Sequence, residues 1–393
     1  MTLSKFRNLL FAGAAVLISG SASSAELTTS SFSSNQSYKN ELQHAIDRGL
    51  EWLQANQNSN GWWSTADQPA VTGEVLMAFK GDPKQRYSKS EPSWMAKSYQ
   101  FIMDSAKPDG GIHRTNLVTY NTAISMMALI AANKAEYNPT ILKAREYLIS
   151  LQTDMGEKGK VDSPFDGGIG YGSHYDHSDM GNTLQALEAI YYSKALTARD
   201  SKLSEAKDLN WGAAISFLQN CQNLPSVNTN NWVSDQEKDK GGFVYYPGNS
   251  MAGGTTNLAT GKIALRSYGS ISYGGMLSYA YADLKKEDPR VSAVYQWLQN
   301  NYTVDENPEM GAQGLYYYYN TMSKALTVYG IDEIPLARGG KAAWKKDLSM
   351  KLLNLQQKDG SWLNTNARWW EKDGALVTAY SVMTLERVYA TLK

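Results

Sequence analysis

The sequence predicts an all-α protein folded as an α/α toroid of about six outer and inner helix pairs. Three observations carry this expectation: a short unit recurs along the chain, the first helix of each unit is charged, and the second is nearly uncharged.

The unit is clearest near the start, where Trp52-Leu53 is followed by Gln57, Gly61 and Trp63. The aromatic–aliphatic pair returns as Phe101-Ile102, Tyr147-Leu148, Phe217-Leu218 and Trp297-Leu298. In the last copy the aromatic is lost, but Leu352, Gln356, Gly360 and Trp362 keep their offsets, whereas Ala106 and Tyr302 replace the Gln in the second and fifth. Such a unit reads as a helix, a sharp glycine turn admitting positive φ, and a second helix, with the Gln placed to satisfy helix-end backbone groups. In the first helix Ile46, Leu50 and Leu53 share one face while Asp47, Arg48 and Glu51 point away. By contrast, Val118 to Asn133, Ser270 to Ala282 and Gly374 to Leu385 carry no charge. A helix apolar all round is buried on all sides, so the second helices form an inner ring and the first an outer one.

Bulk properties bound the rest. Lys5 and Arg7, the apolar run Leu9 to Ile18 and Ser23-Ser24-Ala25 read as a signal peptide over residues 1–25, and imply an exported, periplasmic or extracellular protein. The run is too short to cross a bilayer core of about 30 Å, so no stable membrane span is expected. Residues 26–41, rich in Ser, Thr and Asn, read as a disordered leader, and residues 42–393 as one toroid domain. Cys221 is the only cysteine, so the core and not disulfides must hold the chain, expected to be a monomer. Lys plus Arg and Asp plus Glu both number 38, which leaves no net field to recruit nucleic acid. The 25 Tyr and 11 Trp must pack in cores or meet a ligand.

The Gln-x-x-x-Gly-x-Trp units resemble the repeats of squalene and oxidosqualene cyclases, shared more loosely with protein prenyltransferases, over roughly Leu42 to Lys393. Tyr268-Gly269-Ser270-Ile271-Ser272-Tyr273 and Gly314-Leu315-Tyr316-Tyr317-Tyr318-Tyr319 are similar to exported bacterial members of this repeat class that have no assigned reaction. The resemblance implies a terpenoid-cyclase-like toroid with a ligand site in its cavity. Squalene-type cyclases protonate an alkene with the central acid of Asp-x-Asp-Asp; here the corresponding run is Asp176-His177-Ser178-Asp179. Prenyltransferases hold zinc with an Asp two residues before a Cys; here Gln219 stands before Cys221. Neither signature is complete, no metal site is expected, and no cofactor is indicated.

The links from outer to inner helices are long and carry Gly, Tyr, Trp, His and Asp, so the site is expected on the rim they form. There the inner-helix N-termini are expected to offer free N–H groups and positive dipole ends to an anionic or carbonyl-bearing ligand. Asp179, Asp176 and His177 are the catalytic candidates, although Asp179 also fits a plain helix N-cap. His174, Tyr171, Tyr268, Tyr273, Tyr317, Trp369, Trp370 and Asp373 are candidates for ligand binding, with aromatic packing between the rings as the competing role.

Three functions follow for the expected small hydrophobic or glycan partner: an isoprenoid cyclase or transferase, a carbohydrate-active enzyme with a rim cleft, or a non-catalytic binding scaffold. A closed aromatic cavity favours the first; a groove with two carboxylates about 5 to 9 Å apart favours the second.

Overall fold

A computed structural model of the chain describes residues 29–173, 175–197, 208–234, 236–258 and 261–392. The signal-peptide segment and His174 lie outside the described residues. Among those described, twelve helices of ten residues or more alternate in two roles. The outer ones are α1 (Thr29–Ala55), α3 (Ser93–Met103), α5 (Asn138–Ser150), α7 (Trp211–Asn220), α9 (Pro289–Asn300) and α11 (Trp344–Leu355). The inner ones are α2 (Pro69–Gly81), α4 (Val118–Ala132), α6 (Met180–Thr197), α8 (Gly269–Tyr281), α10 (Leu315–Val328) and α12 (Gly374–Thr391). Two short antiparallel ladders, Gly254–Thr256 with Ile263–Leu265 and Ile334–Pro335 with Lys341–Ala342, decorate the links.

Each inner helix packs on the next, and α12 closes the ring on α2 while also packing on α1. The expected toroid is therefore closed. Its inner helices are buried on nearly every face: in α2 every residue from Pro69 to Lys80 is buried.

The repeat Gln welds one pair to the next. Gln57 Nε2 donates to the Trp94 carbonyl (3.1 Å), Gln152 Nε2 to that of Asn210 (2.9 Å), and Gln222 Nε2 to that of Arg290 (2.9 Å). Each acceptor lies at the N-terminal end of the following outer helix. Gln356 Nε2 reaches the Ala45 carbonyl of α1 (2.9 Å), so the same bond completes the circle. Where Tyr302 replaces Gln, its hydroxyl still reaches the next outer helix, donating to Asp347 Oδ2 at 2.8 Å. The repeat Trp is buried, and its indole N–H serves a carbonyl at the outer-helix C-terminus: Trp63 to Leu53 (2.6 Å), Trp362 to Leu352 (2.8 Å).

The structure differs from the expectation of a disordered leader over residues 29–41. α1 already begins at Thr29, and the half-buried Tyr38 shares a hydrogen bond with Ser349 Oγ of α11. Tyr38 lies four residues before Leu42 and extends the same apolar stripe, a signal that the polar composition of the segment conceals. No described helix is long and apolar enough to cross a membrane.

Candidate functional site

All six inner helices begin at one rim, and there they enclose a cavity of about 310 Å³. α2 brings Gln68 and Val71 to it, α4 brings Leu117 and Tyr120, α6 brings Gly181, Asn182 and Gln185, and α8 brings Ser270 and Ile271. Tyr317 enters from α10 and Leu376 and Tyr380 from α12, while the links supply Tyr171, Tyr245, Tyr268, Trp369 and Trp370. Eight of these walls are aromatic, and none is Asp, Glu, Lys or Arg. The volume falls at the lower end of small-molecule sites, about 300–1,000 Å³.

The expectation of free inner-helix N–H groups is corrected by the structure. Asn121 Oδ1 accepts from Ala70 N of α2 (3.0 Å), and Asn307 Oδ1 accepts from Ser270 N of α8 (2.8 Å). Glu371 Oε1 takes Tyr317 N of α10 (2.8 Å), and Asp373 Oδ1 takes Ala375 N (2.9 Å) and Leu376 N (3.1 Å) of α12. Asp179 Oδ1 accepts from Asn182 N of α6 (2.9 Å). Five helix starts are thus satisfied by protein groups, and the rim presents hydrocarbon and phenol instead of an anion cradle.

Asp179 combines that cap with an unusual environment. The side chain is fully buried; its Oδ2 accepts from Asn182 Nδ2 (2.7 Å), and the Tyr245 hydroxyl lies close enough to favour its ionised form. Burial pushes its carboxyl up to about 6, against the lowering effect of those hydrogen bonds and of His177. The Tyr245 hydroxyl in turn meets that of Tyr171 at 2.8 Å, and both rings face the cavity. A buried acid thus communicates with the ligand space through a phenol.

The other sequence candidates divide. Tyr171, Tyr268, Tyr317, Trp369 and Trp370 line the cavity, the last two partly exposed at its mouth (41% and 44%) with φ of 53° and 66°. Glu371, missed in the sequence, anchors this link: it is buried, also accepts from Asn364 Nδ2 (2.6 Å), and ties the Trp pair to the start of α10. Asp373 is a cap behind the wall. Tyr273 points away, because it follows Ile271 by two residues, about 200° around the helix, and packs on Tyr318. Asp176 is exposed, and His177 packs among Phe165, Tyr175 and Tyr246 outside the lining. Cys221 is buried at the end of α7 with its thiol pushed up by burial, and no described group of three His, Cys, Asp or Glu is placed to hold a metal.

Tyr120, Tyr245 and Tyr380 are lining residues that sequence reasoning missed. Tyr120 and Tyr380 sit on helices whose uniform apolarity gave no inward face, though a tyrosine in such a helix was itself a signal.

The fold is a terpenoid-cyclase-like α/α toroid. The chain is similar to the type II terpene cyclase MstE from Scytonema in complex with geranylgeranyl dihydroxybenzoate: 12% identity, TM-score 0.52, covering 89% of this chain and 98% of that one. The same cyclase in complex with merosterolic acid A gives 12% identity and TM-score 0.51, over 90% and 99% of the two chains. A glycosidase in complex with glucose is similar at 11% identity and TM-score 0.46, over 93% and 100%. No family model matches the chain.

Proposed function

We propose that this protein binds an unsaturated isoprenoid in the rim cavity and that Asp179 supplies a proton to it. The carrying observation is the cavity wall itself, eight aromatic rings and no carboxylate. Aromatic faces stabilise a developing carbocation, whereas glycoside hydrolysis requires two carboxylates flanking the bond. The absence of Lys and Arg from the wall counts against a diphosphate-dependent transferase.

The step balances within the residues present. Asp179 passes its proton to Tyr245 Oη as Tyr245 gives its own to a double bond. The π electrons form the new C–H bond, and the neighbouring carbon becomes the cation that the remaining double bonds attack. An acid near 6 retains a useful fraction of its proton at neutral pH. The N-terminal Lys5, Arg7 and Leu9–Ile18 run supports export as part of this reading.

A second reading, oligosaccharide binding, has one observation in its favour: Trp369 and Trp370 are exposed at the mouth, where indoles stack on sugars. Titrating farnesol, squalene and a set of oligosaccharides while following tryptophan fluorescence decides between them. Saturable binding of the isoprenoids, lost in Tyr317→Ala, is expected; saturable oligosaccharide binding without isoprenoid binding would overturn the proposal.

A further inference from the structure

Beneath the aromatic cavity the inner helices carry a second constellation that no repeat signature marks. Glu74 of α2, Glu188 of α6 and Arg387 of α12 are buried, and Lys324 of α10 keeps 22% of its side chain accessible, which leaves space beside it. The four helices start at the same rim and rise about 1.5 Å per residue. Glu74 and Glu188 therefore lie about 4.5 Å deeper than the wall residues Val71 and Gln185, and Lys324 and Arg387 about 10 Å deeper than Tyr317 and Tyr380.

Lys324 Nζ contacts both Glu188 oxygens at 2.8 Å, a closed pair. Arg387 Nη1 instead donates to two neutral groups, Asn320 Oδ1 (2.6 Å) and Ser323 Oγ (3.0 Å). Next to it in sequence, Glu386 is buried with no hydrogen-bond partner on either oxygen, and burial raises its carboxyl well above the ordinary range. The balance then turns on Glu74, which burial pushes up to about 7, with Lys324 and Arg387 lowering it and Glu188 raising it. Within the belt of Glu74, Glu188, Lys324 and Arg387, a protonated Glu74 leaves one uncompensated positive charge and an ionised Glu74 leaves none. Buried ionic clusters are poor stabilisers and gather at functional sites.

We propose that this belt is a subsite for one carboxylate: the ligand is a prenyl-type acid whose head enters beside Arg387 and Lys324, whose chain lies among the tyrosines, and whose binding keeps a proton on Glu74. The inference rests on the isoprenoid reading above and adds the chemistry of the polar end. Around Glu74 stand Tyr120 of α4, Glu188 of α6, Tyr317 and Lys324 of α10, and Tyr380 and Arg387 of α12; Tyr281 of α8 adjoins Glu188 and Arg387. At the far end of α2, Lys80 pairs with Glu91, Arg86 bridges Asp82 and the Asp47 of α1, and Lys84 also pairs with Asp47, leaving those charges matched.

Calorimetric titration of farnesoic acid and farnesol between pH 6.5 and 8.5, in two buffers of different ionisation heat, tests this. The free protein loses the Glu74 proton as pH rises through 7 and must regain it to accept the anion, so farnesoic acid should bind about tenfold or more weaker at pH 8.5 than at 6.5. Farnesol should lack that dependence, and proton uptake should accompany only the acid. Glu74→Gln should retain acid binding while losing both the pH slope and the proton uptake; Arg387→Gln should bring the acid to the level of farnesol. Equal pH dependence for acid and alcohol in the parent, or an unaltered slope in Glu74→Gln, would overturn the inference and leave the isoprenoid reading standing. Failure of both ligands to bind would remove that reading and the inference with it. Proton uptake by the parent decides the matter even where a variant fails to fold.

Discussion

Gly360 and Arg48 meet backbone to backbone across the closing seam of the ring: a Cβ on Gly360 would stand 2.6 Å from the Arg48 carbonyl oxygen. Arg48 Nη2 donates in return to the carbonyls of Gln357 (2.8 Å) and Lys358 (2.7 Å). Gly360 also has φ of +97°, so Gly360→Ala suffers both backbone strain and a backbone collision and should destabilise by about 2 kcal/mol or more. Gly339→Ala is the control, with φ of +88° and no atom within 4 Å, and should cost about 1 kcal/mol. Denaturant melts of both measure the difference; equal losses would mean that the seam contact contributes nothing.

Asp179→Asn separates capping from proton chemistry. Because the folded carboxyl sits near 6 and the free one at 3.8, the native state pays for ionisation as pH rises from about 4 to 6, a penalty of about 3 kcal/mol above pH 6. Asn keeps the cap on Asn182 N without the charge. The variant should therefore melt at least as high as the parent at pH 7.5, with its advantage shrinking toward pH 4, while isoprenoid turnover is lost. A melting difference independent of pH would contradict the buried ionisation.

Trp370→Gly should leave stability unchanged or raise it by up to about 1 kcal/mol, because the exposed side chain packs little and the residue holds a positive φ that glycine adopts freely. Isoprenoid affinity should fall about tenfold, the loss of one aromatic wall. Chemical denaturation and fluorescence titration on the same sample give both readings.

Tyr245→Phe removes the hydroxyl that holds the Asp179 carboxyl down, so that carboxyl should titrate at higher pH than in the parent. The pH profile of turnover should move its acid-requiring limb upward while the rate falls, since the phenol that faces the cavity no longer passes a proton. A slower enzyme with an unmoved profile would make Tyr245 a wall and nothing more.

The rings and their register were legible because periodic units such as Leu53, Gln57, Gly61 and Trp63 report packing that must recur. The cavity aromatics were half legible: Tyr171 and Trp370 announced themselves in long links, while Tyr380 was lost within a helix with no polar face. Glu74, Glu188, Lys324 and Arg387 were passed over because each stands on a helix with at most one other charge, and their meaning lies in a juxtaposition spanning the chain. Tyr273 misled because proximity to the rim in sequence says nothing of azimuth. The inner-helix N–H groups seemed free because their partners, Asn121, Asn307 and Glu371, come from other segments.

The closure of α12 on α2 brings together segments about 300 residues apart, and the cost of joining such distant ends grows only with the logarithm of their separation. That modest cost is concentrated at one place, whereas every other neighbouring pair is joined locally. The seam is then the clasp of the molecule: Gly374–Thr391 packs on α1, α2 and α10 while bringing Leu376 and Tyr380 to the cavity wall, so closing the ring and completing the cavity are a single event.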